Sequence, residues 1–181
     1  MKYMFASDVH GSAYYCRKML DAYKEEKAER LVLLGDLLYH GPRNDLPREY
    51  APKQVISMLN DMKKEIYAVR GNCEAEVDQM VLQFPVMADY CILNLDGRTF
   101  YATHGHIYNE NNLPPIQEGD ILIHGHTHVL KAEKRDGYIL LNPGSVSIPK
   151  EGNPPTYAVL EDKVFTIKDF DGNIIKEMRL A

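Results

Sequence analysis

Near the start of the chain the hydrophobic residues come in short runs. Lys2–Ser7, Arg30–Leu34 and Glu65–Val69 each read as a buried strand, and each stops at polar or glycine residues. Between the first two, Cys16, Met19, Leu20 and Tyr23 fall at i, i+3, i+4 and i+7, the stripe of an amphipathic helix whose start is marked by Gly11-Ser12. Val55, Leu59 and Met62 repeat the stripe between the second and third runs. Strand and helix thus alternate through about residue 80, which predicts parallel strands joined by crossover helices.

Beyond Tyr90 the texture changes. Arg98–Thr103 and Ile121–His124 predict two more buried strands, while Asp96-Gly97, Asp136-Gly137, Glu161-Asp162 and Asp171-Gly172-Asn173 punctuate the chain as hairpin turns. The second half is expected to be mostly antiparallel. A βαβ half followed by a hairpin-rich half predicts an α/β fold of two packed sheets with helices outside, in one domain spanning residues 1–181. The polar, proline-bearing stretches Tyr39–Pro52 and Asn109–Pro115 are too long for minimal turns. Long ordered loops tend to carry function, so both are expected to overhang a site.

Composition narrows the function classes. With 45% hydrophobic and 26% charged residues the chain is ordinary globular material. Its formal net charge of −5 has the wrong sign for wrapping a nucleic-acid polymer. Any phosphate it binds must meet local positive charge, which a metal can supply. The longest apolar runs, Leu31–Leu34 and Ile121–Ile123, fall far short of the roughly 20 residues of a membrane helix. Met1–Ala6 runs straight into Ser7-Asp8-Val9-His10, so it does not read as a secretory signal. Cys16, Cys73 and Cys91 are odd in number and form no CxxC pair, which predicts reduced thiols in the cytoplasm and no closed zinc knuckle.

The candidate chemistry lies just past the five buried runs. Asp8-Val9-His10 follows the first, Gly35-Asp36 the second, Gly71-Asn72 the third, His104-Gly105-His106 the fourth and Gly125-His126-Thr127-His128 the fifth. In an open α/β sheet, groups beyond the carboxyl ends of the strands converge on one crevice. Mixed oxygen and nitrogen ligands without thiolates suit Mn, Fe, Co, Ni or Zn, and a set this large suits two ions better than one. Taken singly, each motif has a plain structural reading as a turn, a helix cap or a solvated histidine. Their joint placement at strand ends is what that reading leaves unexplained.

The segments FASDVHGS, LGDLLYHGPRN, VRGNCEAEVDQM, THGH, GHTH and NPGSVSIPKEGNP resemble the calcineurin-like metallophosphoesterase superfamily, whose pattern runs DxH, GD, GNH[DE], His, GHxH. Over essentially the whole length the chain is similar to the bacterial YfcE-type phosphodiesterases of that superfamily. The resemblance implies a four-layer sandwich of two central mixed sheets flanked by helices, around a dinuclear site. Asp8, His10, Asp36 and His128 would hold one ion and Asp36, Asn72, His104 and His126 the other, with Asp36 bridging. Two divalent ions, Mn²⁺ first among them, lower the pKa of a shared water and polarise the phosphoryl oxygens, so that hydroxide attacks a phosphodiester in line.

Two departures carry further expectations. Cys73 stands where the superfamily commonly has His, as in YfcE-type proteins. A neutral thiol is a poor proton donor, so preference for diesters or activated leaving groups is expected; a small filler role is the alternative. Tyr39 stands where GDxxD has its second acid, so support for the ligands must come from elsewhere. Asp36, Asn72, Cys73 and His106 are the candidate catalytic residues; His40, Arg43 and Asn44 join Cys73 and His106 as candidate substrate contacts. Arg43 could clamp a phosphate oxygen or sit on a plain surface turn. Arg70 reads as an ion-pair partner, Asn142-Pro143-Gly144-Ser145 as a turn bracing the site, and Tyr14, Tyr15, Met80 and Val81 as core or interface residues. The substrate is expected to be a small phosphodiester or nucleotide-like molecule rather than a polymer, with no membrane partner and a homo-oligomer left open. The rival reading is a scaffold of the same fold, as in the retromer subunit Vps29.

Overall fold

The computed structural model describes residues 1–180. β1 (Tyr3–Ala6), β2 (Arg30–Leu33) and β3 (Ile66–Ala68) run parallel, with Phe5 opposite Val32 and Val32 opposite Tyr67. Helix α1 (Ala13–Glu25) crosses between the first two. Ser12 caps it, its hydroxyl accepting the Tyr15 N–H at 3.2 Å, and Cys16, Met19, Leu20 and Tyr23 are buried beneath it. Helix α2 (Pro52–Asp61) opens on Pro52, whose missing N–H costs nothing in a first turn, and buries Val55 and Leu59. Met62 falls one residue past its end. The alternation in the first half is therefore as expected, with boundaries trimmed by a residue or two.

The four expected hairpin turns are present. They join β4 (Tyr90–Leu95) to β5 (Arg98–Thr103), β7 (Lys131–Lys134) to β8 (Ile139–Asn142), β9 (Thr156–Glu161) to β10 (Val164–Asp169), and β10 to β11 (Ile174–Arg179). The second half is mostly antiparallel, as expected, with one departure. β5, β6 (Ile121–Ile123) and β8 pair in parallel, because residues 104–120 are long enough to carry the chain back across the sheet between β5 and β6. The last three strands join the first sheet: β9 pairs antiparallel with β1, giving the order β11-β10-β9-β1-β2-β3. The other sheet reads β4-β5-β6-β8-β7.

These two mixed sheets pack face to face on Phe5, Val32, Phe100, Ile121, Ile123, Leu141 and Phe165. Phe5 lies at the junction, its ring 6.2 Å from Phe100 and 6.0 Å from Phe165. Helices α1 and α2 cover the outer face of the six-stranded sheet through Met4, Met19, Leu31, Leu33 and Leu59. The outer face of the five-stranded sheet has no helix among the described residues. Segment 104–120 runs over it instead, tied down where Tyr101 Oη donates to Pro115 O and where Lys131 pairs with Glu110. A stretch holding Pro114, Pro115 and repeated Asn is a poor helix former, which is why that layer is irregular. Met80 and Val81 are exposed on the short helix α3 (Glu76–Val81), which buries no residue, so neither is core. Tyr15 packs at the edge of the core, whereas Tyr14 lies under the Arg48 guanidinium at 3.6 Å. Arg70 pairs with Asp89 at 2.6 Å, as expected. No helix here is long and apolar enough to cross a membrane.

Candidate metal centre

The strand ends do converge. Backbone bonds continue past β1 and β2, with Asp8 N donating to Gly35 O at 3.1 Å and His10 N to Asp36 O at 2.9 Å. Gly125 N reaches His104 O at 2.8 Å across the other sheet. Asp8, His10, Asp36, His126 and His128 all have positive φ, between 48° and 64°. Such backbone costs of order 1–3 kcal/mol per residue and persists only where the surroundings enforce it. Each turn throws its side chain into the space between the sheet ends rather than along the strand. Gly71 permits a close approach: a Cβ there would lie 2.1 Å from Asp36 Oδ1.

Three histidines are held in one tautomer. His10 Nδ1 lies 2.8 Å from Tyr39 O, His104 Nδ1 2.6 Å from Leu34 O and His128 Nδ1 2.6 Å from Ile148 O. A carbonyl has no proton to give, so each Nδ1 carries the hydrogen and each Nε2 presents a lone pair to the centre when neutral. His10 Nε2 and His128 Nε2 then face each other at 3.4 Å, with Asp8 Oδ1 3.5 and 3.2 Å from them. Asp8 Oδ1 is fully buried and has no hydrogen-bond partner. Two convergent imidazole lone pairs beside an orphaned carboxylate oxygen fit a cation.

A single oxygen, Asp36 Oδ2, lies 3.6 Å from His10 Nε2 and 3.4 Å from His104 Nε2, while Oδ1 accepts the Cys73 N–H at 2.9 Å. On the far side, His104 Nε2 is 3.1 Å from Asn72 Oδ1 and 3.3 Å from His126 Nδ1. His126 is held from its backbone, whose N–H donates to Asp8 Oδ2 at 3.0 Å. All seven expected ligands therefore meet. The groups that could share an ion include Asp8 with His10 and His128, and Asp8 with Asp36 and His104.

The electrostatics point the same way. Burial would push the His104 imidazole down, but its bond with Asp36 and the charges of Asp8 and Asp36 hold it up at about 9. Burial would raise the Asp8 carboxyl, yet His10 and His128 draw it well below the usual range. His126, half-buried beside His104, is pushed down to about 4 by burial and by that neighbour. The centre is a well of negative potential that demands positive charge.

Beside the ligands opens a cleft of about 410 Å³. Besides the expected ligands, Gly41, Pro42, Arg43, Asn44, Cys73, Thr127 and Lys150 line it. Arg43, Asn44 and Cys73 are thus where the sequence places them. His40 and His106 are not among the lining residues. The His40 ring is wedged between Tyr39 and Tyr50, and His106 sits behind the ligands, its ring 5.4 Å from His104 and 6.3 Å from His126. Loop 39–52 does overhang the site through residues 41–44, but none of residues 109–115 reaches the cleft, because Glu110 is anchored to Lys131 on the sheet's outer face. The Cys73 thiol is pushed up by burial and by the Asp36 charge, so it stays protonated.

One support was not anticipated by position. Glu74 is buried, and its carboxylate accepts the N–H groups of Asp36, Leu37 and Gly71 at 2.6–2.8 Å. Its signal was the acid two residues after Asn72. The Asn142–Ser145 turn braces the site as expected. Asn142 Nδ2 donates to Gly125 O at 2.9 Å, and the hydroxyls of Ser145 and Ser147 both donate to Asp8 O. Lys150 gave no signal in the sequence beyond its place in NPGSVSIPKEGNP.

The family model described as Calcineurin-like phosphoesterase superfamily domain matches residues 1–163. Phosphodiesterase YfcE of Escherichia coli (strain K12) is 47% identical over 167 residues, covering 92% of this chain and 91% of that protein. A solved structure described as Yfce, a phosphoesterase from E. coli, superposes with a TM-score of 0.98 over the whole of both chains at 44% identity. Vps29 of Entamoeba histolytica superposes with a TM-score of 0.67 at 23% identity over 98% of each chain, a likeness of fold alone. With its sheets, its convergent ligands and these matches together, the chain belongs to the calcineurin-like phosphoesterase superfamily.

Proposed function

We propose that this protein is a phosphodiesterase working as a single domain over residues 1–181 with two divalent cations, Mn²⁺ foremost, in the cytoplasm on small phosphodiesters. The observation that carries the reading is Asp36 Oδ2, one oxygen facing imidazoles from both halves of the ligand set. His10, His128 and Asp8 would hold one ion with Asp36; Asn72, His104 and His126 would hold the other. When bound, such a pair supplies a nucleophilic water at neutral pH and polarises the phosphoryl group. The scaffold alternative gains no support from the site, since no ligand position is lost.

The protein's own groups do the rest. Tyr39 O, Leu34 O and Ile148 O fix three imidazoles so that no reorientation accompanies reaction. Arg43 and Asn44 orient the ester from the cleft wall. Cys73 stays a neutral thiol beside Asp36, and His106 acts on the histidine cluster from behind. Cys73, where the superfamily commonly has His, is a poor proton donor, so substrates must bring a good leaving group, and diesters are favoured over monoesters. The cytoplasmic assignment rests on three free cysteines.

Metal analysis of protein purified without chelator, combined with hydrolysis of bis(4-nitrophenyl) phosphate and 4-nitrophenyl phosphate, tests this reading. Two ions per chain, faster diester turnover and loss of rate on chelation are expected. Asp36→Asn should cost more than the roughly 10–100-fold typical of losing a supporting residue. Full activity in demetallated protein would overturn the assignment.

A further inference from the structure

Two cations stand over the cleft with nothing to neutralise them. Six cations elsewhere on the fold are ion-paired: Lys2 and Lys168 with Glu26, Arg17 with Glu49, Arg70 with Asp89, Lys131 with Glu110 and Arg135 with Glu133. Among the described residues, neither Arg43 nor Lys150 has an ion-pair partner, and neither side chain donates a hydrogen bond, although acidic residues outnumber basic ones.

Both cations line the cleft and grow from braced turns. Asn44 Nδ2 donates to His40 O at 2.9 Å, closing the turn that carries Arg43. The backbone of Lys150 is fixed at both ends: its N–H donates to His128 O at 3.1 Å, and its carbonyl accepts Asn153 N and Nδ2 at 3.2 and 2.9 Å. Lys150 is therefore registered directly to a ligand histidine. The cleft's one lining carboxylate is Asp36, a ligand itself. A volume of about 410 Å³ lies in the range of small-molecule sites, so the scissile phosphate next to the ligands fills only part of it.

We propose that Lys150, with Arg43 lining the same cleft, selects phosphodiesters that carry a second phosphate group, the unpaired Lys150 ammonium on the cleft wall being the group that receives it. This rests on the phosphodiesterase reading and deepens it. The scissile phosphate is served by the metal ligands; a further phosphate on the same molecule has no other positive group to meet. Arg offers a planar fork for phosphate oxygens and Lys a compact charge, and both are exposed enough for the effect to weaken with salt.

The test uses a matched chromogenic pair: thymidine 5′-(4-nitrophenyl phosphate), and the same compound bearing a 3′-phosphate. Wild type should prefer the second in kcat/KM by about tenfold at low salt, the worth of one good charge-assisted contact. Lys150→Ala should erase most of that ratio, Lys150→Arg should restore it, and raised ionic strength should compress it. Lys163→Ala, on the β9–β10 turn at the opposite end of the sheet, should keep the wild-type ratio. Calorimetric binding of thymidine 3′,5′-bisphosphate against thymidine 5′-monophosphate gives the same comparison without turnover. Equal treatment of both members of each pair, or a preference untouched by Lys150→Ala, overturns the assignment. Failure of wild type to hydrolyse either ester while still binding the bisphosphate more tightly would instead sink the phosphodiesterase reading and leave the clamp standing.

Discussion

At the residue scale, the site depends as much on what holds the ligands as on the ligands themselves. Glu74 shows this best. Oε2 accepts from both Asp36 and Gly71, and Oε1 from Leu37, so one side chain fastens the turn that presents the Asp36 carboxylate. Burial and the Asp36 charge push its carboxyl up, and the three N–H groups pull the other way. In Glu74→Gln the amide can satisfy one side of this cradle, but its NH₂ must face an N–H on the other. A buried donor left without an acceptor costs about 1–3 kcal/mol. A melting temperature lower by several degrees is expected, with metal affinity down roughly 10–100-fold in a chelator competition. Unchanged affinity would show that Glu74 only packs. The side chain was hard to read from sequence because its work is done on backbone N–H groups up to 38 residues away, to which no residue pattern points.

At the element scale, segment 104–120 is the part of the fold that departs most from expectation. The sequence shows a long polar loop, and long loops often overhang a site. This one is pinned to the sheet's outer face by Glu110, which accepts from Lys131 at 2.6 Å and lies 3.0 Å from buried His124 Nε2. Burial alone would raise the Glu110 carboxyl, but the Lys131 ammonium, a backbone amide and His124 outweigh it and hold the group at about 2. A carboxyl depressed in the folded state adds stability that is fully present above its ordinary value of 4.5 and is lost as pH falls towards about 2. In chelated protein, Glu110→Gln should therefore lower the urea midpoint near neutrality and leave a shallower decline below pH 4.5. Parallel curves for the two proteins would rule out this anchor. The strands themselves were legible where short apolar runs marked them, as in β1, β2 and β6. α3 was not, since a six-residue helix that buries nothing has no stripe to detect.

At the scale of the whole molecule, the ligands come from both sheets, so a cation bound among them ties the sheets together. Mass action then makes the ion a folding ligand: at a free concentration one hundred times Kd it adds about 2.7 kcal/mol, or roughly 5–10 °C in Tm for a chain of this size. Mn²⁺ should raise the melting temperature by that order, and Asp36→Asn should abolish most of the rise; equal shifts in both proteins would mean binding elsewhere. The sequence by itself determined the chemistry, because a ligand's type and its position just past an apolar run are local facts with short periods. It also determined the crossovers of the first half, since each helix stripe lies between the strands it joins. Only the tertiary structure decided that β9 returns to pair with β1, that β6 and β8 run parallel, and that His10, His104 and His128 expose Nε2 rather than Nδ1. Strand partners more than a hundred residues apart are chosen by burying both faces of two sheets at once. A ring's tautomer is likewise chosen by whichever carbonyl the finished fold sets beside it.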